Sequence, residues 1–334
     1  MITGRTRSAP VRSAFCHLCG KKIAGEGKFF RHKNWPRNLS LQVCADCLQT
    51  RPRCRACGMP MAQDTINGIC ETCSQTMRFC LTCGSPVHGA YLEYDGVGPY
   101  CQACVRDRPP CDICGAPLTD DQWRLSDGRV LCAHCHASAI YTVNDAAALY
   151  EEMKTVVADQ LGFSLNVPTG LALVDRNQLA EVIRQQMQPQ APPSRSGRLA
   201  PGGAASAPAP ENNLPLVENG LDPQRTLGIY TRRGMRRGIY VQTGLPRMLF
   251  LQVAAHEFAH AWQGENCPLL RTVLLHEGFA EWVAYRVLGH YRYSRGQAIM
   301  LARQDIYGQG LRWALELEAR QGPAAVIEAC RRSN

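Results

Sequence analysis

Residues 254–265 read AAHEFAHAWQGE, and this stretch decides how the C-terminal half of the chain is understood. The longer run RMLFLQVAAHEFAHAW, directly after Pro246, has helical spacing and no breaker, which predicts a helix. On a helix, positions i and i+4 share a face, so the imidazoles of His256 and His260 can converge on one ion. Glu257, beside the first histidine, is placed to reach a metal-bound water instead of the metal. The competing reading is an ordinary buried helix that happens to carry two histidines.

A second segment separates the two readings. LLRTVLLHEGFAEWVAYRVLG is another helix candidate, and its Glu277 lies 17 residues after His260. A connection of that length can fold a second helix back across the first and bring one carboxylate to the metal as third ligand. The fourth position then stays open for water, as a catalytic zinc requires. Glu281, four residues on and on the same face, is placed to hydrogen-bond the outer nitrogen of a ligating histidine; a solvated helix carboxylate is the plainer alternative. A third histidine ligand at H-E-x-x-H-x-x-G-x-x-H spacing is excluded, because that position is Asn266.

Sixteen of the 18 cysteines form eight C-x-x-C pairs: Cys16/Cys19, Cys44/Cys47, Cys54/Cys57, Cys70/Cys73, Cys80/Cys83, Cys101/Cys104, Cys111/Cys114 and Cys132/Cys135. The gaps between pairs run 24, 6, 12, 6, 17, 6 and 17 residues, and glycine follows every odd-numbered pair. A C-x-x-C-G knuckle needs the positive φ that glycine tolerates. Joining each odd pair to the next even one gives four consecutive four-cysteine zinc modules, with room for small hairpins in the long gaps. Four cysteines per module leave no vacancy for His17, His88, His134 or His136. Closed all-cysteine sites are structural, holding folds too small for a core of their own. No thioredoxin-like βαβ pattern surrounds the pairs, which argues against redox chemistry.

The formal net charge of +9 invites a nucleic-acid partner. Each four-cysteine zinc site carries two net negative charges, so four of them offset nearly all of it; the cluster Arg51, Arg53, Arg55 balances nearby thiolates. A nucleic-acid partner is therefore not expected. The basic N-terminus has no apolar segment and no apolar run is long enough to span a bilayer. The expectation is a soluble cytoplasmic protein without membrane association, whose cysteines bind metal instead of forming disulfides.

The fold class expected is α+β: a short tail (1–15), zinc modules at 16–51, 52–77, 78–108 and 109–140, then a mainly helical domain with a small sheet at 141–334. Within that domain DAAALYEEMKTVVADQLG reads as a helix capped by Gly162, VPTGLALVD as a short strand, and RNQLAEVIRQQMQ as an amphipathic helix. TLGIYTRR and RGIYVQTGL read as two strands with GMRR at the turn, and the Pro/Ala/Gly/Ser-rich 189–215 as a flexible loop.

The tandem array resembles LIM domains, paired zinc modules used for protein recognition, although its six-residue spacers replace the two-residue LIM spacer and the internal histidine ligand is absent. HEFAHAW…HEGFAEW resembles the glutamate-zincin (gluzincin) signature shared with aminopeptidase N. The preceding GLPRMLFLQVAAHE and the blocks VPTGLALVDRNQLAE, TLGIYTRR and YGQGLR look closer to the plant organ-size-regulating LIM-domain peptidases, which are ubiquitin-activated. The likeness covers about residues 145–334. Compact linkers and an Ala/Arg-rich composition suggest a bacterial-type relative; no acidic ubiquitin-interacting helix is present, so control by ubiquitin is not carried over.

The resemblance implies a zinc peptidase with one catalytic Zn²⁺ on His256, His260 and Glu277, about four structural Zn²⁺, and Glu257 as general base. It also implies an oxyanion donor, Tyr307, in DIYGQGLRWALELEARQGPAAVIEA; Tyr285, Tyr291, Tyr293 and His276 compete for that role, and His290 is expected at the surface. The Gly-x-Met-Glu-Asn segment with which aminopeptidase N grips a free amine is missing, which favours an endopeptidase acting on protein substrates. The edge of RGIYVQT would pair with the substrate strand, and the zinc modules would recognise substrate or a regulatory protein. The alternative is a non-catalytic zinc-ribbon adaptor for protein or nucleic acid on a scaffold C-terminal domain.

Overall fold

Four glycines, Gly20, Gly58, Gly84 and Gly115, hold φ between 67° and 75° in a computed structural model of the chain. Each donates its N–H to the carbonyl of the first cysteine of its pair at 2.8–2.9 Å, the tight knuckle expected of C-x-x-C-G. An isolated bridge closes each knuckle: Phe15 with Lys22, Arg53 with Pro60, Phe79 with Pro86 and Pro110 with Pro117. The structure describes residues 15–23, 27–32, 39–63, 65, 68–87, 91–94, 97–187, 226–233 and 235–332. The loop expected at 189–215, His88 and the tail before Phe15 lie outside these residues.

The chain divides into two compact units, Met1–Pro110 with Ala116–Leu118, and Cys111–Gly115 with Thr119–Asn334. In the first, strand β1 (Lys28–Phe30) pairs antiparallel with β2 (Leu41–Val43), and helix α1 (Ala45–Thr50) follows. Helix α2 (Glu71–Thr76) follows the 12-residue gap, in which no strand pair occurs among the described residues. Strands β3 (Leu92–Tyr94) and β4 (Val97–Tyr100) make a second hairpin, ahead of α3 (Gln102–Asp107). The even-numbered cysteine pairs thus open short helices, each with its first cysteine as N-cap.

The second unit repeats the plan once, with β5 (Gln122–Arg124), β6 (Val130–Cys132) and α4 (Ala133–Ala137). It then builds a mostly helical body. Strand β7 (Ala139–Ile140) leads into α5 (Val143–Leu161), which Thr142 caps and Gly162 ends at φ 74°. Strand β8 (Gly170–Val174) and helix α6 (Arg176–Met187) follow. Beyond the undescribed segment come β9 (Gly228–Arg233), β10 (Arg236–Gln242), β11 (Leu245–Pro246), α7 (Arg247–Asn266), α8 (Val273–His290), α9 (Ser294–Ala302), α10 (Ile306–Gln321) and α11 (Pro323–Arg332).

The three-stranded sheet has the order β8-β10-β9, with β10 parallel to β8 and antiparallel to β9. This corrects one expectation: RGIYVQT is the central strand, hydrogen-bonded on both sides, and β9 is the edge. A sequence reading pairs neighbours into a hairpin but cannot see β8 arriving on the far side from more than fifty residues upstream.

Two devices fasten the fourth module to the helical body. Strand β11 pairs with β7, and the Arg247 N–H at the start of α7 donates to the Ser138 carbonyl at 2.8 Å. Arg129, fully buried, pairs with Asp127 at 2.8 Å and donates to the Thr243 carbonyl at 2.7 Å. The main core lies between α5, α7 and α8, where the rings of Phe163, Trp262 and Phe279 pack with centroids 4.9–5.8 Å apart.

Candidate metal centres

The sulfur positions test whether the modules fit zinc. Tetrahedral sites with Zn–S near 2.3 Å have S···S edges of about 3.8 Å. Cys19–Cys44 is 3.9 Å, and Cys57–Cys70, Cys83–Cys101 and Cys114–Cys132 are each 3.8 Å. The quartets of modules one, three and four converge as paired from the sequence. Backbone amides prepare the thiolates: the N–H groups of Cys44, Cys70 and Cys132 lie 3.3–3.4 Å from the Sγ atoms of Cys16, Cys54 and Cys111. For Cys16, burial raises the thiol, but the Cys44 amide and its neighbours outweigh it and bring it down to about 6.

The second module departs from expectation. The ligand atoms that close together there are those of His32, Cys57, Cys70 and Cys73. Cys54 stays at the knuckle under the Cys70 amide. His32 Nε2 lies 3.1 Å from Cys73 Sγ, and the ring is buried. A histidine from the loop of the first module therefore reaches the second module's sulfurs. No local spacing in the sequence signals this, because the partner is 41 residues away. The other described histidines are elsewhere: His17 bonds the Gln42 backbone, His134 is exposed, and His136 stacks on Trp123.

The second kind of centre is built on α7 and α8. Helix α7 starts where Pro246 supplies the N-cap, and its i, i+4 spacing puts His256 and His260 on one face. Helix α8 folds back after residues 267–272 and brings Glu277 to them. His256 Nε2 and His260 Nε2 are 3.0 Å apart, and Glu277 Oε2 lies 3.3 and 3.5 Å from them. Three N/O ligands around a tetrahedral zinc, at bonds of 2.0–2.1 Å, are about 3.3 Å from one another. The triangle fits that ion. Burial would lower the His256 pKa, but the Glu277 and Glu281 carboxylates overcome it and hold it well above its usual value. Burial would likewise raise Glu277, yet His260 and His256 hold it well below the carboxylate range.

Around the triangle stand the other expected residues. Glu257 is buried, and its Oε2 accepts the Tyr230 N–H of β9 at 2.7 Å. That N–H points outward because Gln242 donates to the Leu227 carbonyl, three pairs away from Tyr230 in register, and antiparallel pairs alternate in bonding. Gly228 permits the approach, since a Cβ there would collide with Val253 Cγ1. Glu281 Oε1 lies 3.4 Å from His256 Nδ1 and 3.3 Å from Arg303 Nη1, so it is a buried partner of both instead of a solvated carboxylate.

Tyr307, in the first turn of α10, has its ring 6.1 Å from that of His256 and 4.4 Å below the Arg303 guanidinium. Burial first and Glu277 second push its phenol up to about 12, so it keeps its proton through the neutral range. Tyr285 offers only its carbonyl, to Gln297, and Tyr291 and Tyr293 lie at the far end of α8. His276 is buried, stacks on His260 at 4.3 Å, and is lowered to about 4 by burial and then His260. His290 sits at the exposed end of α8 against Gln160.

Sequence reading missed Arg303, which covers Tyr307, and Gln263, which bonds His260 Nδ1 at 2.8 Å. Only the i+3 spacing from His260 could have singled out Gln263.

Plant proteins with related sequences are found among curated ones. The LIM domain-containing protein HDR3 of Oryza sativa subsp. japonica is 28% identical over 171 residues, covering 49% of this chain and 33% of its own length. Protein DA1-related 1 of Arabidopsis thaliana is 27% identical over 213 residues, 61% of this chain and 37% of its own. Protein DA1-related 7 of the same plant is 27% identical over 207 residues, 60% and 33%. The chain thus spans about a third of the length of the curated relatives it matches. No family profile and no solved structure matches. At this distance the likeness supports LIM-like zinc modules. No helix among the described residues is long and apolar enough to cross a membrane.

Proposed function

We propose that the chain is a zinc-dependent peptidase of the gluzincin type, cutting within protein substrates. The observation that carries this reading is the triangle of His256, His260 and Glu277, sized for zinc, with the Glu257 carboxylate oriented beside it by the Tyr230 amide. A zinc ion held there supplies Lewis acidity and a water activated near neutral pH.

The chain's own groups do the rest. Glu257 takes a proton from the attacking water and returns it to the leaving amine. Its carboxylate is held by one backbone N–H, which leaves the second oxygen to face the water. Tyr307, protonated at neutral pH, donates a hydrogen bond to the oxyanion as charge develops. Glu281 and Arg303 keep His256 and the Tyr307 ring in place. The substrate lies as an extended strand along edge strand β9, where outward-facing backbone groups end beside Glu257. The zinc modules recognise the protein substrate or a regulatory protein.

The test compares zinc-loaded wild type with Glu257→Gln, incubated with unfolded protein substrates and read by intact-mass spectrometry. Wild type should yield internal fragments, and Glu257→Gln should be slower by roughly 10²–10⁴-fold with its zinc retained. Equal fragmentation by both would remove Glu257 from the mechanism. Binding to a protein partner by the zinc modules, with no cleavage by either form, would favour the adaptor.

A further inference from the structure

Gln263 is a fully buried amide, 1% exposed, at the point where three helices meet. It lies one turn beyond His260 on α7. Its Oε1 is 2.8 Å from His260 Nδ1. Its Nε2 donates to the His276 carbonyl on α8 at 2.9 Å and approaches Cys330 Sγ on α11 at 3.5 Å. Its oxygen is thus directed at one member of the candidate zinc triangle, and its nitrogen at the backbone carbonyl next to another.

The polarity of this arrangement is fixed by the donors. An amide nitrogen with two protons must face acceptors, and the His276 carbonyl is one. The amide oxygen therefore faces His260, and an oxygen cannot donate. His260 must place its proton on Nδ1, which leaves Nε2 bare and pointing at His256 Nε2 and Glu277 Oε2. The same side chain also ties down the carbonyl of His276, whose chain neighbour is Glu277. One residue thus sets the tautomer of one ligand and the position of the helix turn that carries another.

We propose that Gln263 is the positioning residue of the metal centre, presetting His260 and the start of α8 for the ion. This rests on the reading of His256, His260 and Glu277 as ligands. Each ligating histidine then has its own Nδ1 partner: the anionic Glu281 for His256 and the neutral Gln263 for His260. Three carboxylates already surround the centre, in Glu257, Glu277 and Glu281. A neutral partner on the second histidine gives direction without adding a fourth negative charge.

The experiment measures zinc affinity of the full chain by competition with chelators of graded strength, with native mass spectrometry counting ions at each step. The cysteine sites serve as an internal reference. Gln263→Leu, which removes the acceptor, should weaken the most labile, non-cysteine ion by about 10–100-fold and leave the others unchanged. Gln263→Glu, nearly isosteric, keeps the acceptor for His260 but loses the donor to the His276 carbonyl, so it should lose clearly less affinity than Gln263→Leu. If Gln263→Leu does not fold, Gln263→Asn, one methylene shorter, carries the same expected loss. Unchanged affinity in the folded Leu or Asn variant, or a Glu variant as weak as these, overturns the proposal. A wild type that takes up no ion beyond the cysteine sites would instead overturn the ligand reading beneath it.

Discussion

Tyr307 and Glu257 illustrate how neighbours set the state of a buried side chain. The Tyr307 phenol keeps its proton because it is buried near Glu277, which outweighs the opposing pull of the Arg303 guanidinium over its ring. Tyr307→Phe should lower kcat by about 10²–10³-fold with KM and zinc content little changed; a loss confined to KM would place Tyr307 in substrate binding instead. At this scale the meeting of His256, His260 and Glu277 was legible, because i, i+4 histidines and a carboxylate 17 residues on are geometric statements written in one dimension. Tyr307 was reached through resemblance, and packing distinguishes it from Tyr285, Tyr291 and Tyr293. His32 was not legible, since its partner Cys73 is brought near only by the folded modules.

At the scale of elements, the centre depends on how closely α8 and α10 approach. Gly278, beside Glu277, touches Gly310, three residues after Tyr307: a Cβ on either would lie 2.6–2.7 Å from the other's backbone. Gly310→Ala should cost about 1–3 kcal/mol, seen as a lower thermal midpoint, and should push Tyr307 from the metal and reduce kcat. An unchanged midpoint would mean the helices are not fixed by this contact. Helices α7 and α8 are buried on nearly every face, so their apolar pattern is continuous and the missing breakers, more than any periodicity, revealed them. Strand β8 was also legible, but its place beside β10 was not, because parallel pairing joins segments distant in sequence.

The buried Asp127–Arg129 pair belongs to the same scale. Arg129→Ala leaves Asp127 buried without its cation and releases the Thr243 carbonyl. A loss of about 3–5 kcal/mol is expected, measured as a shifted denaturant midpoint of the second unit. A shift below 1 kcal/mol would mean that water replaces the guanidinium at little cost.

Over the whole molecule, two designs of metal site occur in one chain. The four cysteine modules use knuckle glycines, backbone N–H groups and closed ligand sets, a plan repeated along the sequence and therefore easy to read there. The fifth cluster brings together three ligand atoms, of His256, His260 and Glu277, and in the proposed function its remaining position is flanked by Glu257 and Tyr307. The first design suits modules too small for a core of their own; the second lies on helices packed into the large core, where the proposed function places the chemistry. The most direct measurement is the zinc content of wild type and of the His256→Ala, His260→Ala double variant, by native mass spectrometry. Five ions for wild type and four for the variant are the expected result. Four ions in both, or five in both, would contradict a metal centre on α7 and α8.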